Sequence, residues 1–137
     1  MILVEVNLRT FIYHLHKESN MDELKELLQW IEKLKQDNKL IIVEGKKDVR
    51  ALAKLGITNT RPLKSPLFNE VEQIAEQADE CILLLDLDKE GKKIYGKMKK
   101  DLIKHGIKVD DDFRKFLFKE TKLRQIEGMD TYIEHLR

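Results

Sequence analysis

Cys81-Ile82-Leu83-Leu84-Leu85-Asp86-Leu87-Asp88-Lys89-Glu90-Gly91 decides how the rest of this chain is read. Five apolar residues in a row fit a strand buried on both faces, as inner strands of a parallel sheet are. The run stops at two acids one residue apart, and a strongly helical segment follows. An unpaired carboxylate inside such a strand would cost several kcal/mol or shift its pKa. At the carboxyl end of the strand the acids stand instead at the rim where open α/β sheets bind ligands. Side chains two apart along a strand point the same way, so Asp86 and Asp88 are expected on one side. Two carboxylates there make a seat for a hard divalent cation.

The same grammar occurs earlier. Leu40-Ile41-Ile42-Val43 is a second buried-strand run, and it ends in Glu44-Gly45. Lys46 to Leu55 then reads as a helix with Val49, Leu52 and Leu55 inward and Gly56 as its stop. A weaker strand is expected within Ile57 to Leu63, ended near Pro62 or Pro66. A helix over Phe68 to Ala78 follows, with Phe68, Val71, Ile74 and Ala75 on one side. After Asp88, Glu90 to His105 is helical with Ile94, Tyr95, Met98 and Leu102 inward, and Gly106 to Val109 is a short final strand. Asp110-Asp111-Asp112 is read as the cap and dipole partner of the next helix, packed by Phe113, Phe116 and Leu117. A calcium loop would need a glycine and a distal glutamate that are missing. Ile126 to Leu136 forms the last helix. Strands alternating with helices mean an α/β fold: a Rossmann-like parallel sheet of about four strands, with right-handed crossovers and helices on both faces.

Ahead of this core, Leu8, Phe11, Ile12 and Leu15 mark one amphipathic helix. Its His14 and His16 lie about 200° apart around the axis and cannot share a metal. Asn20 with Glu23 offers a capping box for a second helix, carrying Leu24, Leu27, Leu28, Ile31 and Leu34 and ended by Asp37-Asn38. The expected organisation is a single domain over 1–137. Residues 1–37 form an N-terminal helix pair, 38–109 the core, and 110–137 a C-terminal helical extension.

At 137 residues the chain is long enough for one core. No stretch approaches the ~20 apolar residues of a membrane span, and Met1 to Glu5 lack the charged start of a signal peptide. One cysteine, Cys81, sits in a buried strand as a small core residue, which points to a reducing, cytoplasmic setting. Charged residues make up 37% of the chain, yet the formal net is only +1, against a protein that coats nucleic acid by bulk charge. The distribution is uneven. From Lys92 to Arg124 there are twelve Lys or Arg against five Asp or Glu. Lys93, Lys97, Lys100 and Lys104 recur on one helix face and could track phosphates, with Arg114, Lys115, Lys119, Lys122 and Arg124 extending the patch. A merely solvated helix face is the alternative.

Parallel topology puts the carboxyl ends of the two acid-tipped strands on one edge. If they are neighbours, Glu44, Asp86 and Asp88 converge. Oxygen-only donors without a Cys or His pair select Mg²⁺, with Mn²⁺ as the alternative, over zinc. Such an ion beside Lys46 and Lys47 is equipment for phosphodiester chemistry. The opposing reading is that each acid only caps the helix behind it.

Ile42-Val43-Glu44-Gly45-Lys46-Lys47-Asp48 followed by Leu85-Asp86-Leu87-Asp88-Lys89-Glu90-Gly91 resembles the Toprim domain shared by topoisomerases, primases and certain nucleases. Its glutamate-glycine and its Asp-x-Asp-x-x-Gly both occur in order, about forty residues apart, over Leu40 to Val109. The whole chain is most similar to the small stand-alone, primase-like Toprim proteins of archaea and some bacteria. The resemblance implies Glu44 as general acid or base, also sharing the ion, and Asp86 and Asp88 as metal ligands. Gly45 and Gly91 would let the backbone turn tightly and approach a phosphate, with Lys46, Lys47, Lys93, Lys97 and Lys100 as further phosphate contacts. Asp48 and Glu90 would support the site from behind. Leu87 departs from the proline or glycine often found between the two aspartates.

Two functions follow. One is a Mg²⁺-dependent enzyme on nucleic-acid phosphodiesters: a nuclease, an RNA-processing factor, or a primase-like nucleotidyl transferase. The other is a non-catalytic nucleic-acid or ribonucleoprotein binding module within a larger assembly. DNA or RNA, a partner protein or a second copy of the chain are left open. A primase would bring a cysteine cluster, and a topoisomerase a nucleophilic tyrosine on a large gate; neither is in this sequence.

Overall fold

A computed structural model describes residues 8–137, with the side chains of residues 10–17 outside the description. The expected inward positions Phe11, Ile12 and Leu15, and the surface histidines His14 and His16, therefore lie outside the described residues. In chain order the elements are α1 (Leu8–Gln36), β1 (Leu40–Val43), α2 (Lys46–Lys54), β2 (Thr60–Pro62), α3 (Leu67–Gln77) and β3 (Glu80–Leu83). They continue as α4 (Lys89–Lys104), β4 (Lys108–Asp110), α5 (Asp112–Glu120), a 3₁₀ turn (Ile126–Gly128) and α6 (Met129–Leu136).

All four strands are parallel, in the order β2-β1-β3-β4. Central β1 and β3 pair with Ile41 opposite Ile82 and Ile42 opposite Leu83. The chain steps outward from β1 to β2, then crosses back to β3 and on to β4. The direction of winding thus reverses between β1 and β3, and such a reversal opens a crevice at the carboxyl ends of the two strands.

Both faces of the sheet are covered, and the side chains alternate as a pleat requires. Ile41, Val43, Ile82 and Leu84 pack with Leu27, Trp30, Leu34, Leu52, Leu117, Met129 and Ile133, from α1, α2, α5 and α6. Ile42, Cys81, Leu83 and Leu85 pack with Val71 and Ile74 of α3 and with Met98 and Leu102 of α4. Cys81 is fully buried, and burial pushes its thiol up to about 11, so it is an inert core residue.

Several expectations change. The N-terminal helix pair is one continuous helix, with Asn20 in its interior. No glycine or proline interrupts residues 8–36. Continuing the i→i−4 ladder outweighs a cap worth about 1 kcal/mol. Leu28 of α1 is exposed, while Trp30 is buried, donating from Nε1 to the Phe113 carbonyl at 3.0 Å and meeting the Phe113 ring edge-on. The helix ends without a left-handed asparagine, since no described non-glycine residue has positive φ; Asp37 Oδ1 instead accepts the Lys39 N–H at 2.9 Å. In α3, Phe68 is exposed, and the inward place goes to Glu70. Its carboxylate accepts the N–H groups of Lys64 and Ser65, the Ser65 hydroxyl and the Arg61 guanidinium. Although burial works the other way, these donors hold it down at about 2. Gly56 closes α2 as expected, at φ 85°, and Gly106 does the same after α4, at φ 78°.

Candidate functional site

Glu44 follows β1 and Asp86 follows β3, so the winding reversal brings them together across 42 positions of sequence. Glu44 Oε1 accepts the Asp86 backbone N–H at 3.1 Å. Asp86 is buried, and its Oδ1 accepts the Ile126 N–H at 2.9 Å. Neither Oε2 of Glu44 nor Oδ2 of Asp86 accepts a hydrogen bond among the described residues.

Asp86 and Asp88 lie beyond the strand ladder, close enough that the charge of Asp88 acts on Asp86. The β3 ladder stops at Leu83, with one further bond from the Leu84 N–H to the Ile42 carbonyl, so period two no longer governs the loop. Asp88 becomes the N-cap of α4: Oδ1 accepts the Gly91 N–H at 2.7 Å, while Oδ2 accepts from Gln125 Nε2 at 3.3 Å. Leu87 between them is buried in the C-terminal cluster, and its N–H donates to the Arg124 carbonyl at 2.7 Å. An apolar residue stands there because the C-terminal segment roofs this loop. Among the described residues, no three His, Cys, Asp or Glu side chains are grouped closely enough to hold a metal ion by themselves.

The electrostatics nevertheless single out this spot. Burial, then the negative charge of Asp86, Asp88 and Asp48, push Glu44 up to about 7 against the pull of the Asp86 N–H. Burial, with Asp48, Asp88 and Glu127 repelling it, lifts Asp86 to about 6. None of these acids has a Lys or Arg within 4.0 Å among the described residues, whereas Glu70 and Asp111 do. Glu127 is a member of this acidic group that the pattern of strands and glycines did not reveal. It is exposed, in the 3₁₀ turn, and only tertiary packing of α2 on that turn brings it near Asp48.

The two glycines of the motifs differ. Gly45, the N-cap of α2, is extended at φ −153°, a conformation any residue adopts, and a Cβ there would meet nothing within 4 Å. It leaves open space at the rim. A Cβ on Gly91 would lie 2.2 Å from the Asp86 carbonyl oxygen and 2.8 Å from Glu44 Oε1. Gly91 is thus demanded by the packing of α4 on the two acids, with no tight turn involved. Asp48 is buried, and its Oδ2 accepts the Gly45 N–H at 3.0 Å, which fixes the start of α2. Glu90 is exposed in the first turn of α4.

Lys46, Lys47, Lys93, Lys97, Lys100 and Lys104 are all exposed. The expected extension of the basic patch is corrected at Arg114. That residue is buried, lies 4.0 Å over the Tyr95 ring, and donates to the carbonyls of Leu85 and Asp86. Lys99 and Lys115 both pair with Asp111, at 2.6 and 3.1 Å. Asp111 also accepts from the Tyr95 hydroxyl and makes no side-chain cap bond, so it ties α4 to α5 rather than capping α5.

A family model described as "Toprim domain" matches residues 39–111, the stretch from β1 to the start of α5. The chain belongs to the Toprim family. Toprim membership carries a metal-binding, nucleic-acid-related role. Similar full-length relatives are small archaeal UPF0292 proteins. That of Methanocaldococcus jannaschii is 34% identical over 116 residues, covering 80% of this chain and 91% of the relative. That of Pyrococcus horikoshii is 35% identical over 119 residues, covering 85% and 89%. A solved structure of a protein from Aquifex aeolicus superposes with a TM-score of 0.68 at 38% identity, over 73% of this chain and 94% of that one. No described helix of this Toprim protein is long and apolar enough to cross a membrane.

The donor set suits the divalent ion that Toprim membership implies. It is all oxygen and repels itself, and among the described residues it has no Lys or Arg within 4.0 Å and two carboxylate oxygens that accept no hydrogen bond. Mg²⁺ commonly uses only one or two carboxylates and fills its shell with water and phosphate oxygens. A ready three-residue cage is not needed.

Proposed function

We propose that this Toprim protein is a Mg²⁺-dependent enzyme acting on nucleic-acid phosphodiesters. The observation that carries the proposal is Glu44: a half-buried carboxyl pushed up to about 7, hydrogen-bonded to the Asp86 backbone at the winding reversal. A general acid or base works best with a pKa near the operating pH. Glu44 holds or delivers a proton at Oε2, and shares the ion only when that oxygen is deprotonated. Asp86 would hold the ion together with Glu44, and Asp88 would join them only by giving up part of its capping role. When bound, the metal supplies charge stabilisation to a phosphate and lowers the pKa of bound water.

The chain's own residues arrange the rest. Arg114 holds the Leu85 and Asp86 carbonyls, and Ile126 orients the Asp86 carboxylate. The open space at Gly45 allows a phosphate to come close, with Lys46 and Lys47 in the first turn of α2. Lysines there oppose the helix dipole, a small cost that a phosphate partner offsets. The exposed Lys93, Lys97 and Lys100 carry the strand away from the site.

Labelled DNA and RNA substrates should be processed with Mg²⁺ or Mn²⁺, and Glu44→Gln should lower turnover by about 10²-fold or more while sparing binding. Mg²⁺ should also raise the melting temperature of the wild type by mass action, and not that of an Asp86→Asn, Asp88→Asn double variant. Binding without turnover at any metal concentration would favour the non-catalytic module. An absent metal response would sink the site.

A further inference from the structure

We infer that Phe118, with Lys92 and Arg124 beside it, is a stacking platform for an unpaired base of a single-stranded nucleic acid entering the carboxylate site. The inference rests on the proposed nucleic-acid function and names its substrate class. Phe118 lies near the end of α5 and is 45% exposed, although its neighbour Leu117 is fully buried. Its ring has Lys92 Nζ 4.8 Å and Arg124 Cζ 5.5 Å from the centroid. Both separations are within the ~6 Å over which a cation is drawn to a ring.

The platform is joined to the acidic loop on both sides. The Lys92 backbone N–H donates to the Asp88 carbonyl at 3.0 Å, and the Arg124 carbonyl accepts the Leu87 N–H at 2.7 Å. Gln125, next in the chain, reaches Asp88. The Arg124 guanidinium is held by the Thr121 and Leu123 carbonyls, at 3.3 and 2.9 Å, so its position does not depend on Phe118 alone.

Among the described residues, neither Lys92 nor Arg124 has a carboxylate within 4.0 Å. Lys99 and Lys115, in the same basic stretch, are already committed to Asp111. The two cations beside Phe118 are therefore available to phosphates, as the exposed Lys93, Lys97 and Lys100 of α4 are. A half-exposed ring with two such cations beside it matches the pairing that single-strand binders use: an aromatic surface for the base and positive charge for the backbone. A duplex keeps its bases stacked on one another and offers no free face to such a ring.

The test is binding by the full chain in EDTA, at low salt, of labelled single-stranded RNA, single-stranded DNA and a duplex of the same sequence. Phe118→Leu keeps apolar bulk and removes the ring. Phe118→Trp keeps stacking and adds a fluorophore distinct from the buried, hydrogen-bonded Trp30. Single strands should bind more tightly than duplex. Phe118→Leu should weaken single strands by about tenfold without changing the duplex, and the indole of Phe118→Trp should be quenched on binding. Comparison of the RNA and DNA arms shows which sugar is preferred. Equal single-strand affinity for wild type and Phe118→Leu, or no quenching in Phe118→Trp, would overturn the platform while leaving the carboxylate site intact. No binding of any strand by the wild type in EDTA would also overturn the platform, whereas the proposed activity is overturned separately, by absent turnover and absent binding with Mg²⁺. A loss of turnover in Glu44→Gln with unchanged binding separates the chemistry from the platform.

Discussion

Gly91→Ala tests the packing of the site most directly. In a helix, alanine is favoured over glycine by about 1 kcal/mol, so helix propensity alone predicts a more stable protein. The structure predicts the opposite sign. The added Cβ would sit 2.2 Å from the Asp86 carbonyl oxygen, 2.6 Å from its carbon and 2.8 Å from Glu44 Oε1. The first two are backbone atoms that cannot swing aside, and Arg114 holds that same carbonyl at 3.0 Å. Overpacking costs about 1–3 kcal/mol, and a backbone clash places this case at the upper end. After the propensity gain, a net loss of about 2 kcal/mol remains, or roughly 8 °C in melting temperature for a chain of this size. Gly45→Ala is the control: extended backbone and open space predict a change under about 1 kcal/mol. Thermal and urea unfolding of the two variants decide the matter. A Gly91→Ala protein as stable as the wild type, or more so, would refute the reasoning and the described closeness of α4 to the acids.

Two further predictions concern charge. Glu44 and Asp86 have folded pKa values of about 7 and about 6, above their ordinary 4.5 and 3.8, so the folded state binds more protons between those limits. Stability of the metal-free protein should therefore fall as pH rises from about 4 to about 7. Glu44→Gln should flatten the upper part of that fall, and an unchanged pH profile of unfolding would contradict the assignment. Glu70→Ala should destabilise by about 3 kcal/mol in urea unfolding, since it removes the carboxylate partner of Arg61, which keeps only Gln73 and Gln77, and strands two backbone N–H groups. A loss below about 1 kcal/mol would mean that water satisfies those donors.

Much of the fold was legible because it rests on local pattern. Buried strand runs, the glycine after α2, and the alternation of strand with helix each depend on residues near one another in sequence, whereas Gly106, read as the start of the last strand, instead closes α4. The same pattern misled where two local signals were both adequate. Asn20 with Glu23 is a sound capping box, yet nothing nearby obliges the helix to restart. Phe68 is apolar at an inward spacing, yet the Arg61–Glu70 network takes that place, because four donors converge on one carboxylate only after β2 and α3 are packed.

The same division runs through the site. Glu44-Gly45 and Asp86-x-Asp88 were visible as acids ending strands, because a buried strand excludes carboxylates from its interior and tolerates them at its tip. Strand order alone decided that Glu44 meets Asp86, because β1 and β3 are neighbours only after the crossover through β2. Packing of α4 and the C-terminal segment decided that Asp88 caps a helix, that Gly91 has no room for a methyl, and that Glu127 joins the acids. Sequence pattern carries the periodicity of single elements and the chemistry at their ends. Which ends face one another depends on contacts made across dozens of residues, and these exist only once the sheet has closed on both its helical layers.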